Sequence, residues 1–361
     1  MKFAVVKHGS YLLRDEVAEG IISAFRAHGH QLCDESEESV RAAFNLTDIN
    51  KPEVYRRRGR AIPVISIVAA DRLPENARRA TYIATVHSLS NVLLLVVPGD
   101  EVPEVYFTTL EAGFYHIPYD PEEVYQRLIP LITATPAIEN EITPDLPKTY
   151  GKGTPITEAM VRCGKELSRL GVLPAPFPIH ELISKRDLHL LYKLYGMTGL
   201  SYGNFSARES IAELGPATFW MTARGVNKAK LSKIGYDLVL VKGYDPGRKT
   251  VLVSVPPDYR PTIKASVDAI EHYLIYSNFP DVGAIIHVHA WMEGIPCTSQ
   301  NYPCGTQELA EQVVDLLQQA EDPSRAVIGL KNHGITITGH SLDEIFDRIR
   351  GKLLPQVPMM A

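Results

Sequence analysis

The stretch Ala284-Ile285-Ile286-His287-Val288-His289-Ala290, AIIHVHA, follows the turn-forming NFPDVG of residues 278–283. Its small, apolar and β-branched residues are those of a buried strand. Side chains two apart in a strand share a face, so His287 and His289 project together. Burying two unpartnered imidazoles is costly. The pattern therefore asks for something that pairs with both.

The segments around it define the setting. Across 361 residues the hydrophobic share is 45% and the charged share 22%, values of a globular protein with room for two cores. The formal net charge of -5 argues against a general nucleic-acid binder. The basic run YRRRGR at 55–60 reads as a solvated turn. No window approaches the roughly 20 apolar residues of a membrane span. The opening MKFAVVKHG breaks at Lys7, too soon for a signal-peptide core. The expectation is a cytoplasmic protein with neither membrane nor nucleic acid as partner. Cys33, Cys163, Cys297 and Cys304 lack CxxC spacing, so neither a disulfide framework nor a cysteine zinc site is indicated.

Residues 1–145 read as an α/β domain. KFAVVKHG is a strand and LLRDEVAEGIISAFRAHGH a helix ending at Gly. RAIPVISIVAA and NVLLLVVPGD are unbroken apolar runs, the mark of strands buried on both faces of a parallel sheet. A Rossmann-like or flavodoxin-like sheet is expected, without a nucleotide function, since no GxGxxG or GxxxxGK[ST] run is present. TATPAIENEITPDLPKTYGKGTP at 133–155 is the natural linker. Residues 146–361 mix helices with strands punctuated by Gly and Pro. His28 and His30 form a second HxH around a Gly, which reads as a helix-capping segment.

The apolar AVIGL runs into KNHG, which puts His333 at a strand end beside a flexible Gly334. An HxH strand alone is more often accidental. A third imidazole in such a setting changes the balance, because three suit zinc or a similar divalent metal with one position left for substrate or water.

From about Ile183 to about Arg350 the chain resembles the class II aldolase/adducin family, which includes fuculose- and rhamnulose-phosphate aldolases and ribulose-phosphate 4-epimerases. GLSYGNFSAR at 199–208 is similar to the family's Gly-Asn-x-Ser-x-Arg turn. MTARGVNKAKLSKIGYDLVLV resembles its Thr-Pro-Ser-Gly turn and following strand. EHYLIYSNFPDVGAIIHVHA carries its His-x-x-x-Tyr, Pro-Asp-Val and His-x-His run, and NYPCGTQELAEQV and LKNHGITITGHSLDEIF its last two blocks.

The resemblance implies an α/β/α domain around a mainly antiparallel sheet, with His287, His289 and His333 as ligands of Zn2+, or of Mn2+ or Co2+. It implies a carbon–carbon lyase working through an enediolate on a small anionic hydroxy-carbonyl substrate. Decarboxylation or epimerisation at the same site is the first alternative, and a non-catalytic adducin-like binding module the second. The family's acid/base lies four residues before the His of His-x-x-x-Tyr and can touch the metal. That position is Asp268, where the family usually has Glu, and Glu271 is the fallback. Gly203, Asn204, Arg224, Gly225 and Ser266 fall on the anion cradle. The family's common cyclic tetramers imply a homo-oligomer.

Three departures stand out. Arg224 replaces the Ser of Thr-Pro-Ser-Gly, and Val267 the second Ser of a Ser-Ser pair. The insert that supplies a tyrosine proton donor is missing, and Tyr302, the nearest phenol, reads as a packing residue. Pro355 and Pro358 stop the usual C-terminal helix.

Overall fold

The computed structural model describes residues 1–360 apart from 56–61, 112, 175, 176, 178, 196–200, 216 and 258–262, and not the side chains of 193–195. Arg56–Arg60 of the basic run and the first two residues of GLSYGNFSAR lie outside the described residues. The chain folds into two compact units. One comprises Met1–Thr133, Pro176–Tyr195 and Met359–Ala361, the other Ala134–Ala175 and Gly196–Pro358. No described helix is long and apolar enough to cross a membrane.

In the first unit the elements run β1 (Lys2–Lys7), α1 (Leu12–Ala27), β2 (Gln31–Leu32), β3 (Ala42–Leu46), β4 (Val64–Ala69), α2 (Ala77–His87), β5 (Val92–Val97), β6 (Glu104–Thr109), β7 (Phe114–Pro118) and α3 (Pro121–Thr133). The sheet order is β2-β1-β3-β4-β5-β6-β7. Strands β1 to β5 pair in parallel, while β6 and β7 extend the sheet as an antiparallel hairpin. Every residue of β4 and β5 is buried, as their unbroken apolar runs require. The core on one face is keyed by Phe3, Phe25 and Phe44, whose rings meet edge to face at 5.1 and 5.6 Å. Buried Arg14 of α1 donates to the carbonyls of His8, Gly9 and Thr47, so its guanidinium ties the ends of β1 and β3 together. A cavity of about 260 Å³ opens there, at the carboxyl ends of β1, β3 and β4.

The second unit contains β8 (Glu139–Thr143), α4 (Pro155–Arg169), β9 (Asn204–Arg208), β10 (Phe219–Thr222), β11 (Leu238–Asp245), β12 (Thr250–Ser254), α7 (Ala269–Asn278), β13 (Ala284–Val288), α8 (Gln307–Gln318), β14 (Val327–Leu330), β15 (Gly334–Gly339) and α9 (Leu342–Ile349). The short helices α5 (Ile179–Leu182) and α6 (Lys185–Tyr195) fall between α4 and β9 in the chain and pack in the first unit. The second sheet has the order β14-β15-β13-β9-β10-β11-β12-β8 and is antiparallel except for β12 with β8.

Strand β8 lies inside the stretch that reads as linker, so the compact units divide at Thr133/Ala134 and not at 145/146. Its sequence ENEIT keeps polar groups toward solvent along a sheet edge, and a polar edge strand has the composition of a loop.

Alternation along the strands sorts the core into two layers. Ala284, Ile286 and Val288 of β13 face α4 and α9 with Phe205, Trp220 and Ile337. Ile285 faces the other way, toward α7 and α8, with Phe219, Met221 and Val239. By the same alternation His287 faces α7. After α9 the described residues of the C-terminal tail form no helix. Leu354 instead exchanges both backbone hydrogen bonds with Trp291, two residues past His289.

Candidate metal centre

The site grows from one row across the second sheet. His287 of β13 stands directly opposite Asn204 of β9 on one side and Thr336 of β15 on the other. Opposed residues share a face, and Asn204 and Thr336 both reach the first turn of α7. Asn204 Nδ2 donates to Asp268 Oδ2 at 2.6 Å, and Thr336 Oγ1 donates to Glu271 Oε1 at 2.6 Å. Strand β9 then continues the match. Ser206 Oγ contacts His272 Nδ1 at 2.7 Å and Tyr276 Oη at 2.8 Å. Arg208 caps the far end of α7 through the carbonyls of Tyr276, Phe279 and Val282.

The geometry explains the spacing of the motif. Two strand residues span about 6.6 Å and four helix residues about 6 Å, so positions 204, 206 and 208 keep step with 268, 272 and 276. The sequence reading of His272 and Tyr276 as a packed pair matches their burial.

The imidazoles converge. The donor atoms of His287, His289 and His333 all lie within 4.8 Å of one another. His289 Nε2 and His333 Nε2 face each other at 3.1 Å. His333 comes from the tight turn between β14 and β15, where its N–H donates to Leu330 O and Asn332 adopts a φ of +59°. Two glycines let neighbouring loops press on β13. A Cβ at Gly203, which has a φ of +69°, would come 2.5 Å from His287 O, and one at Gly334 would come 2.4 Å from Val288 O. No other residue fits either place.

Electrostatics favour the metal-binding form of the rings. Burial holds His289 and His333 well below the ordinary histidine range and lowers His287 as well, against the opposing pull of the Asp268 charge. His287 Nδ1 lies 3.1 Å from Ile335 O, the arrangement in which Nδ1–H donates to the carbonyl and leaves the lone pair on Nε2. That Nε2 is buried without a hydrogen-bond partner. An orphaned buried acceptor costs about 1–3 kcal/mol, and a cation ligated there would remove the cost. The donor set fits a divalent metal.

Around the histidines stand groups with distinct states. Asp268 Oδ1 accepts the Gly305 N–H at 3.1 Å while Oδ2 accepts Asn204. Burial, reinforced by the Asp268 charge, pushes the Glu271 carboxyl up to about 8, despite the bond from Thr336.

The residues of the expected anion cradle have partners of their own in the fold. Arg224 directs Nη2 to Ile138 O at 2.8 Å and Nε to Ala265 O at 3.2 Å, so backbone carbonyls occupy these donors. Gly225 holds a φ of +72° in the same turn, and buried Ser266 donates its N–H to Thr222 O. Tyr302 packs against the α7 and α8 core, as its sequence reading has it.

Three side chains at the centre carry no sequence signal strong enough to single them out. Lys228 is buried, with Nζ on Ser201 O at 3.1 Å. Burial pulls its ammonium down to about 8, against the opposing charge of Asp268. Tyr202 stacks on His289 at 4.8 Å. Cys304 places Sγ 3.2 Å from His333 Nε2. Each comes from a separate loop, and only folding brings them to the histidines.

Comparison with known proteins agrees with the motifs. Residues 187–292 match the model of the class II aldolase and adducin N-terminal domain, a span that includes Asp268, His287 and His289. Two solved structures are similar. L-fuculose 1-phosphate aldolase is 17% identical over 55% of this chain and 82% of its own, with a TM-score of 0.36. YgbL of Klebsiella pneumoniae, described by the alternatives aldolase, epimerase and decarboxylase, is 18% identical over 53% and 82%, with a TM-score of 0.34. No curated protein sequence matches. Residues 187–292 are thus a segment similar to the class II aldolase and adducin N-terminal domain.

Proposed function

We propose that the chain is a divalent-metal-dependent carbon–carbon lyase of aldolase type, acting on a small anionic hydroxy-carbonyl compound. The observation that carries this reading is the orphaned Nε2 of buried His287 at the meeting point of three imidazoles. His287, His289 and His333 would hold the metal, zinc being the first choice for such a donor set. A divalent ion held there supplies Lewis-acid polarisation of a substrate carbonyl.

The remaining chemistry belongs to the chain's own groups. Asp268, oriented by Asn204 and Gly305, takes or returns a proton at its carboxylate oxygens. Glu271, whose carboxyl is pushed up by burial and by the Asp268 charge, is the group best placed to donate a proton. Lys228, fixed on Ser201, offers a buried cation to an anionic substrate group, a part that Arg224 is less available to play. Decarboxylation and epimerisation use the same groups. In this reading the enzyme is a cytoplasmic homo-oligomer, and the parallel strand order 2-1-3-4-5 supports a flavodoxin-like first unit.

Metal analysis of the purified chain, followed by cleavage assays on phosphorylated and carboxylated hydroxyketones, tests the proposal. One divalent ion per chain is expected. Asp268→Asn should keep the metal and lose about 10²- to 10⁴-fold in kcat. Absence of a stoichiometric metal, with ligand binding unchanged in His287→Ala, overturns it.

A further inference from the structure

Cys304 brings a possible metal donor to the imidazole cluster that the three-histidine reading does not use. Its Sγ lies 3.2 Å from His333 Nε2, the same nitrogen that faces His289 Nε2 at 3.1 Å. In a tetrahedral zinc site, with Zn–N near 2.0–2.1 Å and Zn–S near 2.3 Å, the edges are about 3.3 Å between nitrogens and about 3.6 Å between nitrogen and sulfur. Both observed separations are on that scale, and ligation would draw in Sγ and the three histidine donors, which lie within 4.8 Å of one another. Unpartnered Nε2 of His287, on a ring 2% exposed, points independently to a ligand here.

The loop that carries Cys304 is anchored on both sides. Thr306 Oγ1 donates to Pro303 O at 2.7 Å, Ala137 N–H donates to Gly305 O at 2.8 Å, and Gly305 N–H donates to Asp268 Oδ1. Asp268 is therefore one of the groups that hold the thiol's loop in place. Its own two oxygens are directed at Gly305 and Asn204. The position where the family's longer glutamate can reach a metal is here filled by a shorter carboxylate, and a sulfur stands beside His333.

We propose that Cys304 Sγ ligates the metal as a fourth protein donor, giving a three-histidine, one-cysteine centre. The inference rests on the metal reading above. Ligation replaces the S–H bond by an S–metal bond. The proton leaves to solvent, and nothing is oxidised or reduced. Four protein donors close the position that a catalytic centre keeps for substrate, so Cys304 also sets how readily that position opens.

The test is the absorption of the full chain loaded with Co2+. A near-ultraviolet thiolate-to-cobalt charge-transfer band is expected in the wild type and in Cys297→Ser. In Cys304→Ser that band should vanish while the weak visible bands of histidine-bound cobalt persist. Zn2+ affinity of Cys304→Ser should fall by at least the roughly 10- to 100-fold that losing a mere supporting residue costs. Stoichiometric cobalt without the charge-transfer band, or a band that survives Cys304→Ser, overturns the thiol's role and leaves the histidine site intact. Failure to bind cobalt at all overturns the metal reading and this inference with it. Iodoacetamide labelling of the wild type, read by peptide mass, needs no folded variant. Zn2+ should protect Cys304 and leave Cys297 reactive as before, and equal labelling of Cys304 with and without Zn2+ refutes ligation.

Discussion

The chain contains two His-x-His stretches, and they have opposite fates. At His28-Gly29-His30, just past α1, each ring finds a partner. His28 Nε2 meets the Glu122 carboxylate at 2.9 Å and its ring stacks on Tyr125 at 4.0 Å. His30 bridges the N-terminal amine at 2.9 Å and Tyr125 Oη at 3.1 Å. At His287-Val288-His289 the strand sets both rings on one face, and the inner Nε2 of His287 has no partner. Spacing is shared, so spacing cannot be what makes a metal centre. What differs is the unspent lone pair in a buried place, beside a third imidazole delivered by the β14–β15 turn.

The largest expected effect separates the two stretches outright. His287→Ala should abolish stabilisation by Zn2+, which in the wild type amounts to about 4 kcal/mol at a thousandfold excess over Kd. His28→Ala should retain it in full. Thermal unfolding with and without Zn2+ checks both, and equal Zn2+ stabilisation of wild type and His287→Ala would break the distinction.

Legibility in the sequence follows the range of the interaction. Helix α1 and strands β4 and β5 show as local periodicity, and their burial follows it. The histidines show because a strand face and a turn are local too. Strands β6 and β7 carry too little apolar contrast to stand out, and β8 is hidden by its polar edge. Cys304 and Lys228 are invisible for a different reason. Cys304 lies fifteen residues from one histidine and twenty-nine from another, and contacts with Asp268 and Ala137, distant in the chain, anchor its loop there. Arg224 has partners that its sequence context does not announce. A free guanidinium reads as an anion site, yet Ile138 of the supposed linker accepts one of its bonds.

Glu271 sharpens the contrast through pH. Its carboxyl titrates at about 8 in the fold against 4.5 unfolded. The folded pKa is the higher one, so its contribution is fully present below pH 4.5 and is lost as pH rises through about 8. In chelator-treated protein, urea unfolding should show stability falling as pH rises across that window. Glu271→Gln should remove this part of the slope. An unchanged slope would mean that the carboxyl is already ionised in the fold.

Two glycines give a matched pair. Gly203 and Gly29 both hold left-handed backbone, with φ of +69° and +78°. A Cβ on Gly29 meets nothing within 4 Å, whereas on Gly203 it meets His287 O at 2.5 Å. Gly29→Ala should cost the roughly 1–2 kcal/mol of the conformation alone. Gly203→Ala should add about 1–3 kcal/mol for the clash and weaken Zn2+ binding, because the carbonyl it pushes belongs to a ligand. Equal losses in the two variants would show that β13 yields at this point, and the histidine geometry with it.

The smallest effect is expected at His28. Its contact with Glu122 joins side chains that are 37% and 54% exposed, and such pairs contribute about 0.2–1 kcal/mol. His28→Ala also gives up the stack on Tyr125, but that ring stays packed edge to face on Phe25 at 4.9 Å. A fall in Tm of no more than about 4 °C follows for units of this size, with metal content unchanged. A His28→Ala variant that lost its metal would mean that partnered, half-exposed imidazoles compete for the ion. The unspent lone pair of His287 would then no longer distinguish the two stretches.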